Sequence, residues 1–274
     1  MRAFIRKTGQ IAVVMIVLVG SVIGGIGTAQ AVSVLPPVNA QFDYQIGGAY
    51  TPSASVGVVS RDRTASPVPG KYNICYVNAF QTQPDDETTW SGRNDDLILR
   101  DASGKKVGDP EWNEYLLDTS SNAKRTRIAA IVNGWIDECA SKGFNAVEPD
   151  NLDSFTRSKR LLTKANNVAL ATSLAAHAHE KGLAIAQKNT TELGSTGKTS
   201  VGFDFAIAEE CQYYGECSAY TSVYGKNVIE IEYTDNPRSA YSNACSAQGK
   251  NISVILRDRD VVTPGNSAYH YEHC

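Results

Sequence analysis

The sequence has little with which to hold a metal. It contains four histidines, no C-x-x-C and no H-x-x-x-H spacing, which argues against the usual zinc arrangements. His177 and His179 stand two apart in a predicted helix and so point to different sides. No block of Lys or Arg is present, and 26 basic against 29 acidic residues leave a formal charge of −3. Such a chain offers little to nucleic acid or to an anionic membrane. The G-x-G-x-x-G turn of dinucleotide-binding sheets is also missing, and no cofactor is expected. No break in composition marks a second domain. Pro36-Pro37 and the stretch Pro67 to Pro69 read as an entry segment and a surface loop.

The first residues read as an address. Arg2, Arg6 and Lys7 precede an apolar run from Ile11 to about Ile26, and Ala29-Gln30-Ala31 has the small-x-small character of a cleavage site. Gly20, Gly24, Gly25 and Gly27 interrupt the run, which is short for a membrane span. The expectation is a leader over 1–31, a linker over 32–42 and one domain over 43–274. An uncleaved anchor is the alternative, and either way the domain lies outside the cytoplasm. Without the leader the chain is three charges more negative and suits a neutral or cationic ligand. The six cysteines all follow the leader, and an even number in an exported protein suggests disulfides. Cys211 and Cys217 are close enough to staple a loop. The remaining pairs are expected to be Cys245 with Cys274 and Cys75 with Cys139.

A pattern repeats in the second half: a helical stretch ends at a glycine, and a short apolar run follows. It occurs at Gly143–Glu148, Gly182–Gln187, Gly225–Glu232 and Gly249–Leu256. Glycine suits the left-handed close of a helix, and the apolar run reads as a buried parallel strand. Phe203 to Ala208 has the same strand character. Ile128, Ile131, Val132, Trp135, Ile136 and Cys139 form one helical stripe, and Thr163 is placed to cap a helix that buries Val168, Leu170, Leu174 and Ala178. A shorter helix is predicted over Ser239 to Ala247. Tyr44–Tyr50, Asn73–Val77 and Leu97–Leu99 bring the predicted strands to eight. The fold predicted from this alternation is α/β, a single-domain (β/α)8 TIM barrel, with an open doubly wound sheet as the rival.

In a barrel, chemistry gathers where strands end. Those ends carry Tyr50, Tyr76-Val77-Asn78, Arg100-Asp101, Glu148-Pro149-Asp150-Asn151-Leu152-Asp153, Lys188-Asn189, Glu209-Glu210, Glu232-Tyr233 and Arg257-Asp258. Three carboxylates within six residues repel one another unless a cation or a substrate is meant to sit there. A hard-cation site is one reading. Glycoside hydrolysis is the other, because it needs two carboxyl groups from different strands facing each other across a sugar. Tyrosines near strand ends, Tyr213 and Tyr214 among them, would offer flat faces to sugar rings.

At these residues the chain resembles glycoside hydrolase family 114, the endo-α-1,4-polygalactosaminidases. The resemblance runs from about Asp43 to Asp260. It is carried by Asp43-Tyr-Gln-Ile-Gly-Gly, Ile74-Cys-Tyr, Gly143-Phe-Asn-Ala-Val-Glu-Pro-Asp-Asn-Leu-Asp153, Lys188-Asn189, Phe203-Asp-Phe-Ala, Glu209-Glu-Cys-Gln-Tyr-Tyr-Gly-Glu-Cys217 and Glu232-Tyr233. It implies a TIM barrel that cuts a cationic amino-sugar polymer internally, as a monomer. The paired acids would fall on Asp150, as nucleophile or base, and Glu209, as general acid/base, with the exchange of these roles as the alternative. Tyr50, Tyr76, Glu148, Asn151, Asp153, Lys188, Asn189, Glu210, Glu232 and Tyr233 would line the substrate site. A barrel that binds polysaccharide without cutting it, or cuts another α-linked sugar, remains the alternative. The chain departs from the family at Asn78-Ala-Phe-Gln-Thr-Gln-Pro84, and Ala208 stands where Asn is expected. Strand alternation from Asp204 sets Glu210, not Glu209, on the face of Ala206 and Ala208. Glu210 is therefore the second candidate for that acid.

Overall fold

A computed structural model describes residues 33–274 apart from residue 87. The expected leader and the first residue of the expected linker lie outside the described residues. Eight strands stand side by side in chain order, each parallel to the one before: β1 (Phe42–Gln45), β2 (Val58–Asp62), β3 (Tyr72–Asn78), β4 (Ala146–Asp150), β5 (Ala184–Lys188), β6 (Phe205–Glu209), β7 (Val228–Tyr233) and β8 (Ser253–Arg257). A last strand, β9 (Tyr271–His273), adds antiparallel to β8. The sheet curls into a nearly closed TIM barrel. Side chains bridge the seam between β8 and β1: Ser253 Oγ donates to the Ala40 carbonyl at 2.7 Å, and Tyr271 donates its hydroxyl to the Phe42 carbonyl at 2.8 Å.

Among the described residues, the four helices of eight residues or more cover the outside: α1 (Asn122–Lys142), α2 (Lys164–Glu180), α3 (Cys217–Tyr224) and α4 (Ser239–Gln248). Their ends follow from local chemistry. The Ser121 side chain accepts from the Lys124 amide at the start of α1, and Gly143 closes that helix at φ 91°. Thr163 and Asn166 form a capping box on α2, whose buried stripe is Leu170, Ala171, Leu174, Ala175 and Ala178. The three disulfides are Cys75–Cys139, Cys211–Cys217 and Cys245–Cys274, the expected pairs. No described helix is long and apolar enough to cross a membrane.

Alternation along each strand divides the core in two. Phe42, Ile74, Ala146, Ala184, Ala186, Phe205, Ile207, Ile231 and Ile255 fill the barrel interior. Cys75, Val77, Val147, Ile185, Ala206, Ala208 and Leu256 face the helices instead.

Two strand expectations need correction. Leu97–Leu99 is no barrel strand: Leu97 ends a 3₁₀ turn, and Ile98 bridges antiparallel to Leu117. That segment belongs to an insertion between β3 and α1, together with a short ladder of Gly108–Asp109 against Glu114–Tyr115. The missing strand is Val58–Asp62, and the first strand is Phe42–Gln45 rather than Tyr44–Tyr50.

Candidate active site

The inward residues of β4, β5 and β6 end in Glu148 and Asp150, in Lys188, and in Glu209. The interior face of β6 carries Phe205, Ile207 and therefore Glu209. The alternation expected from the sequence is real, but the face carrying Ala206 and Ala208 is the one packed on helices. Glu209 points inward without a bulge.

Lys188 joins these acids. Its side chain is 1% exposed, and its Nζ lies 3.0 Å from Glu148 Oε1 and 3.4 Å from both Asp150 Oδ1 and Glu209 Oε2. Because the last two oxygens share one nitrogen, they can be no further apart than twice that distance. Glu148 sits at the bottom, 0% exposed, and accepts hydrogen bonds from Tyr44 at 2.9 Å and Ser60 at 2.7 Å. It anchors the ammonium and does not reach the cleft.

The two upper acids have distinct surroundings. Asp150 accepts from the Tyr76 hydroxyl at 2.7 Å and from the Asn151 amide at 2.8 Å. Burial pushes the Asp150 carboxyl up, but the Lys188 ammonium, the Tyr76 hydroxyl and the Asn151 amide together hold it below the usual carboxylate range. Burial pulls Lys188 down, yet Asp150, Glu209 and Glu148 keep it charged, well above an ordinary lysine. Glu209 accepts from the Asn189 amide group at 2.8 Å and from the Tyr233 hydroxyl, while its own backbone N–H donates to Asn189 Oδ1 at 2.8 Å.

Above these groups opens a cleft of about 360 Å³. Of the residues expected at the site, Tyr76, Asp150, Asn151, Asp153, Asn189, Glu209, Glu210 and Tyr233 line it. Lys188 and Glu148 lie beneath. Glu210 sits at φ 59° and pairs with Arg259 at 2.7 Å, so its carboxylate is engaged at the rim.

Two other expected residues lie elsewhere. Glu232 is on the outward face of β7, where it accepts from the Gln212 amide at 3.0 Å next to Glu230. Tyr50 donates to Asp43 at 2.6 Å behind the cleft wall. Tyr213 and Tyr214 stack edge to face with their rings exposed, outside the cleft lining. Cys211, Cys217 and Glu230 lie close enough to share a metal, but both sulfurs are already bonded to each other.

The sequence reading missed the wall formed by the insertion. Asp109, Glu111, Trp112 and Glu114 all line the cleft, and Trp112, in the turn of that ladder, is 44% exposed. Arg157 spans Asp109 at 3.0 Å and Asp153 at 2.8 Å. The signal available was Asp109-Pro-Glu-Trp-Asn-Glu114, two acids flanking a tryptophan and a third preceding it. In all, eight carboxylates and two arginines face this cleft.

Comparison with known proteins agrees with the barrel fold. The sequence profile described as glycoside-hydrolase family GH114 matches residues 26–274. No curated protein sequence matches the chain. Among solved structures, Ega3 of Aspergillus fumigatus, in complex with galactosamine, superposes with a TM-score of 0.70 at 21% identity, covering 90% of this chain and 100% of that one. The glycoside hydrolase domain of PelA from Pseudomonas aeruginosa superposes with a TM-score of 0.56 at 15% identity, covering 83% and 97% respectively. Similarity at that level speaks to the shared barrel.

Proposed function

Since the chain belongs to glycoside-hydrolase family GH114, we propose that it is an exported endo-acting hydrolase of α-1,4-linked galactosamine polymers, with Asp150 and Glu209 as its catalytic acids. The observation that carries this reading is the pair of carboxylates from separate strands, both 3.4 Å from the Lys188 ammonium and both lining one cleft. Asp150 is the acid held ionised, which suits the nucleophile or base. Glu209 then serves as general acid/base, delivering a proton to the departing glycosidic oxygen. Retaining enzymes need about 5–5.5 Å between their carboxyl groups and inverting ones roughly 6.5–9.5 Å. The shared ammonium keeps the facing oxygens within twice 3.4 Å of one another, a bound that takes in the retaining spacing and the lowest edge of the other range.

The excess of acids in the cleft supports a cationic sugar. An unacetylated galactosamine carries an ammonium near neutral pH, and Asp109, Glu111, Glu114 and Asp260 surround the catalytic pair. Trp112 offers a flat apolar face of the kind that stacks on sugar rings. Three disulfides fit an oxidising compartment.

Incubating the protein with an α-1,4-galactosamine polymer tests the reading. Shorter oligomers should appear, and Asp150→Asn and Glu209→Gln should each lower turnover by about a thousandfold or more, with the circular dichroism spectrum retained. Retention of the polymer without any shortening would point to a binding barrel instead. The anomer first released, followed by NMR, decides between retention and inversion.

A further inference from the structure

The acids that line the cleft differ in how their charge is met. Asp109 and Asp153 share Arg157, Glu210 is paired with Arg259, and Asp150 and Glu209 face Lys188. Glu111 and Asp260 are exposed, so water serves them. Glu114 has neither solution. It is partly buried on the insertion wall and forms no ion pair among the described residues. Its Oε2 accepts two neutral amides, Asn78 Nδ2 at 2.8 Å and Gln81 Nε2 at 2.9 Å, and no described donor reaches its Oε1. The two amides fix the direction of the carboxylate and leave its charge uncompensated.

Glu114 is also close to the reacting centre. Asn78 lies opposite Asp150 in the β3–β4 register, and its Oδ1 accepts from Asn151 Nδ2 at 2.9 Å. One asparagine therefore links Glu114 to the residue that follows the catalytic Asp150. Asp109 pairs with Glu114 across the short ladder, but Arg157 already neutralises it. Burial pushes the Glu114 carboxyl up to about 6, moderated by Gln81 and Asn78, and the Asp150 charge adds to the rise. A group in that state gains from the arrival of a cation.

We propose that Glu114 is a specificity-determining residue that reads the free ammonium of a sugar unit beside the scissile bond and so selects unacetylated over N-acetylated galactosamine. The inference rests on the hydrolase reading of the same cleft. An ammonium brings three N–H donors and a full charge to Oε1. An acetamide brings one N–H and a carbonyl oxygen whose lone pairs oppose a carboxylate. A charge-assisted hydrogen bond of this kind is worth about 1.5–3 kcal/mol, or roughly a 10- to 100-fold preference.

The experiment compares kcat/KM of the wild type and of Glu114→Gln on a fully deacetylated α-1,4-galactosamine polymer and on its N-acetylated counterpart. The expected result is a 10- to 100-fold fall in the ratio of the two, arising mainly from KM on the deacetylated polymer, with an unchanged thermal midpoint. A wild type that cuts the polymer while Glu114→Gln leaves the ratio unchanged overturns the role of Glu114 and leaves the hydrolase intact. A wild type that cuts neither polymer overturns both.

Discussion

Burial, the Lys188 ammonium and the hydrogen bonds to Asp150 together set where its carboxyl ionises. The Tyr76 hydroxyl, 2.7 Å from Oδ2, is one of the groups that keep this buried carboxyl below its ordinary range. Removing that donor favours the protonated form. A hydrogen bond to a charged group is worth about 1.5–3 kcal/mol, which corresponds to roughly one to two pH units. Tyr76→Phe should therefore move the acid limb of the kcat/KM profile upward by about that amount. A merely structural tyrosine would lower the melting temperature and leave the limb in place, and the two measurements together separate the cases. The inward aim of Glu209 was legible as a period of two but not as a side. Ala206 and Ala208 look like interior residues, yet alanines also suit a strand face that helices press upon. Only the packing partners distinguish the two.

A second pair of acids lies away from the chemistry. Glu230 and Glu232 are buried on the outward face of β7. Burial, and then the neighbouring Glu232, pushes Glu230 up to about 8. The folded protein thus keeps a proton that the unfolded chain gives up above about 4.5. The associated stability is complete below that pH and is lost as pH rises through about 8, by an amount on the order of a few kcal/mol. Glu230→Gln should flatten this dependence. Melting curves at pH 5 and pH 8 should draw together in the variant, and equal pH sensitivity in both proteins would rule out the retained proton.

At the scale of elements, the strand ends share one device. β4, β5 and β6 each hand over to a residue in the left-handed region directly after their last inward side chain: Asn151 at φ 63°, Asn189 at 47° and Glu210 at 59°. The abrupt turn makes Asp150, Lys188 and Glu209 the last inward positions before the loops diverge. Asparagine tolerates this conformation, and alanine is penalised by about 1–2 kcal/mol. Asn189→Gly should accordingly be more stable than Asn189→Ala by about 1 kcal/mol in urea titrations, although both lose the amide that holds Glu209. Equal stabilities would show that the turn carries no strain. The glycine-then-apolar pattern exposed β4, β5, β7 and β8 in the sequence because a helix end and a parallel strand each have a local signature. The insertion had none. Its ladder is two residues on each side, and Leu97–Leu99 has the apolar character of a strand while packing beside Leu116 and Leu117. Hence the acids around Trp112 are visible in the sequence, but their place in the cleft wall emerges only from tertiary contacts.

For the whole molecule, the question is what closes the barrel. Among the described residues no ladder joins β8 to β1. The seam depends on side chains of β8 and of the C-terminal strand, including Tyr271, which reaches the Phe42 carbonyl. Cys274, immediately after β9, is tied to Cys245 in α4. Chain entropy alone ranks the three disulfides by separation: 64 residues for Cys75–Cys139, 29 for Cys245–Cys274 and 6 for Cys211–Cys217. The corresponding stabilisations are roughly 4, 3.5 and 2 kcal/mol. Loss of the Cys245–Cys274 bond, however, also frees β9 and with it the Tyr271 contact across the seam. Replacing both of its cysteines by alanine should thus destabilise the protein at least as much as replacing Cys75 and Cys139, reversing the entropic order. Urea unfolding of the two double variants measures this. If the order by separation persists, the barrel closes through its eight parallel strands alone, and the C-terminal strand is an ornament on β8 that can fray without opening the seam.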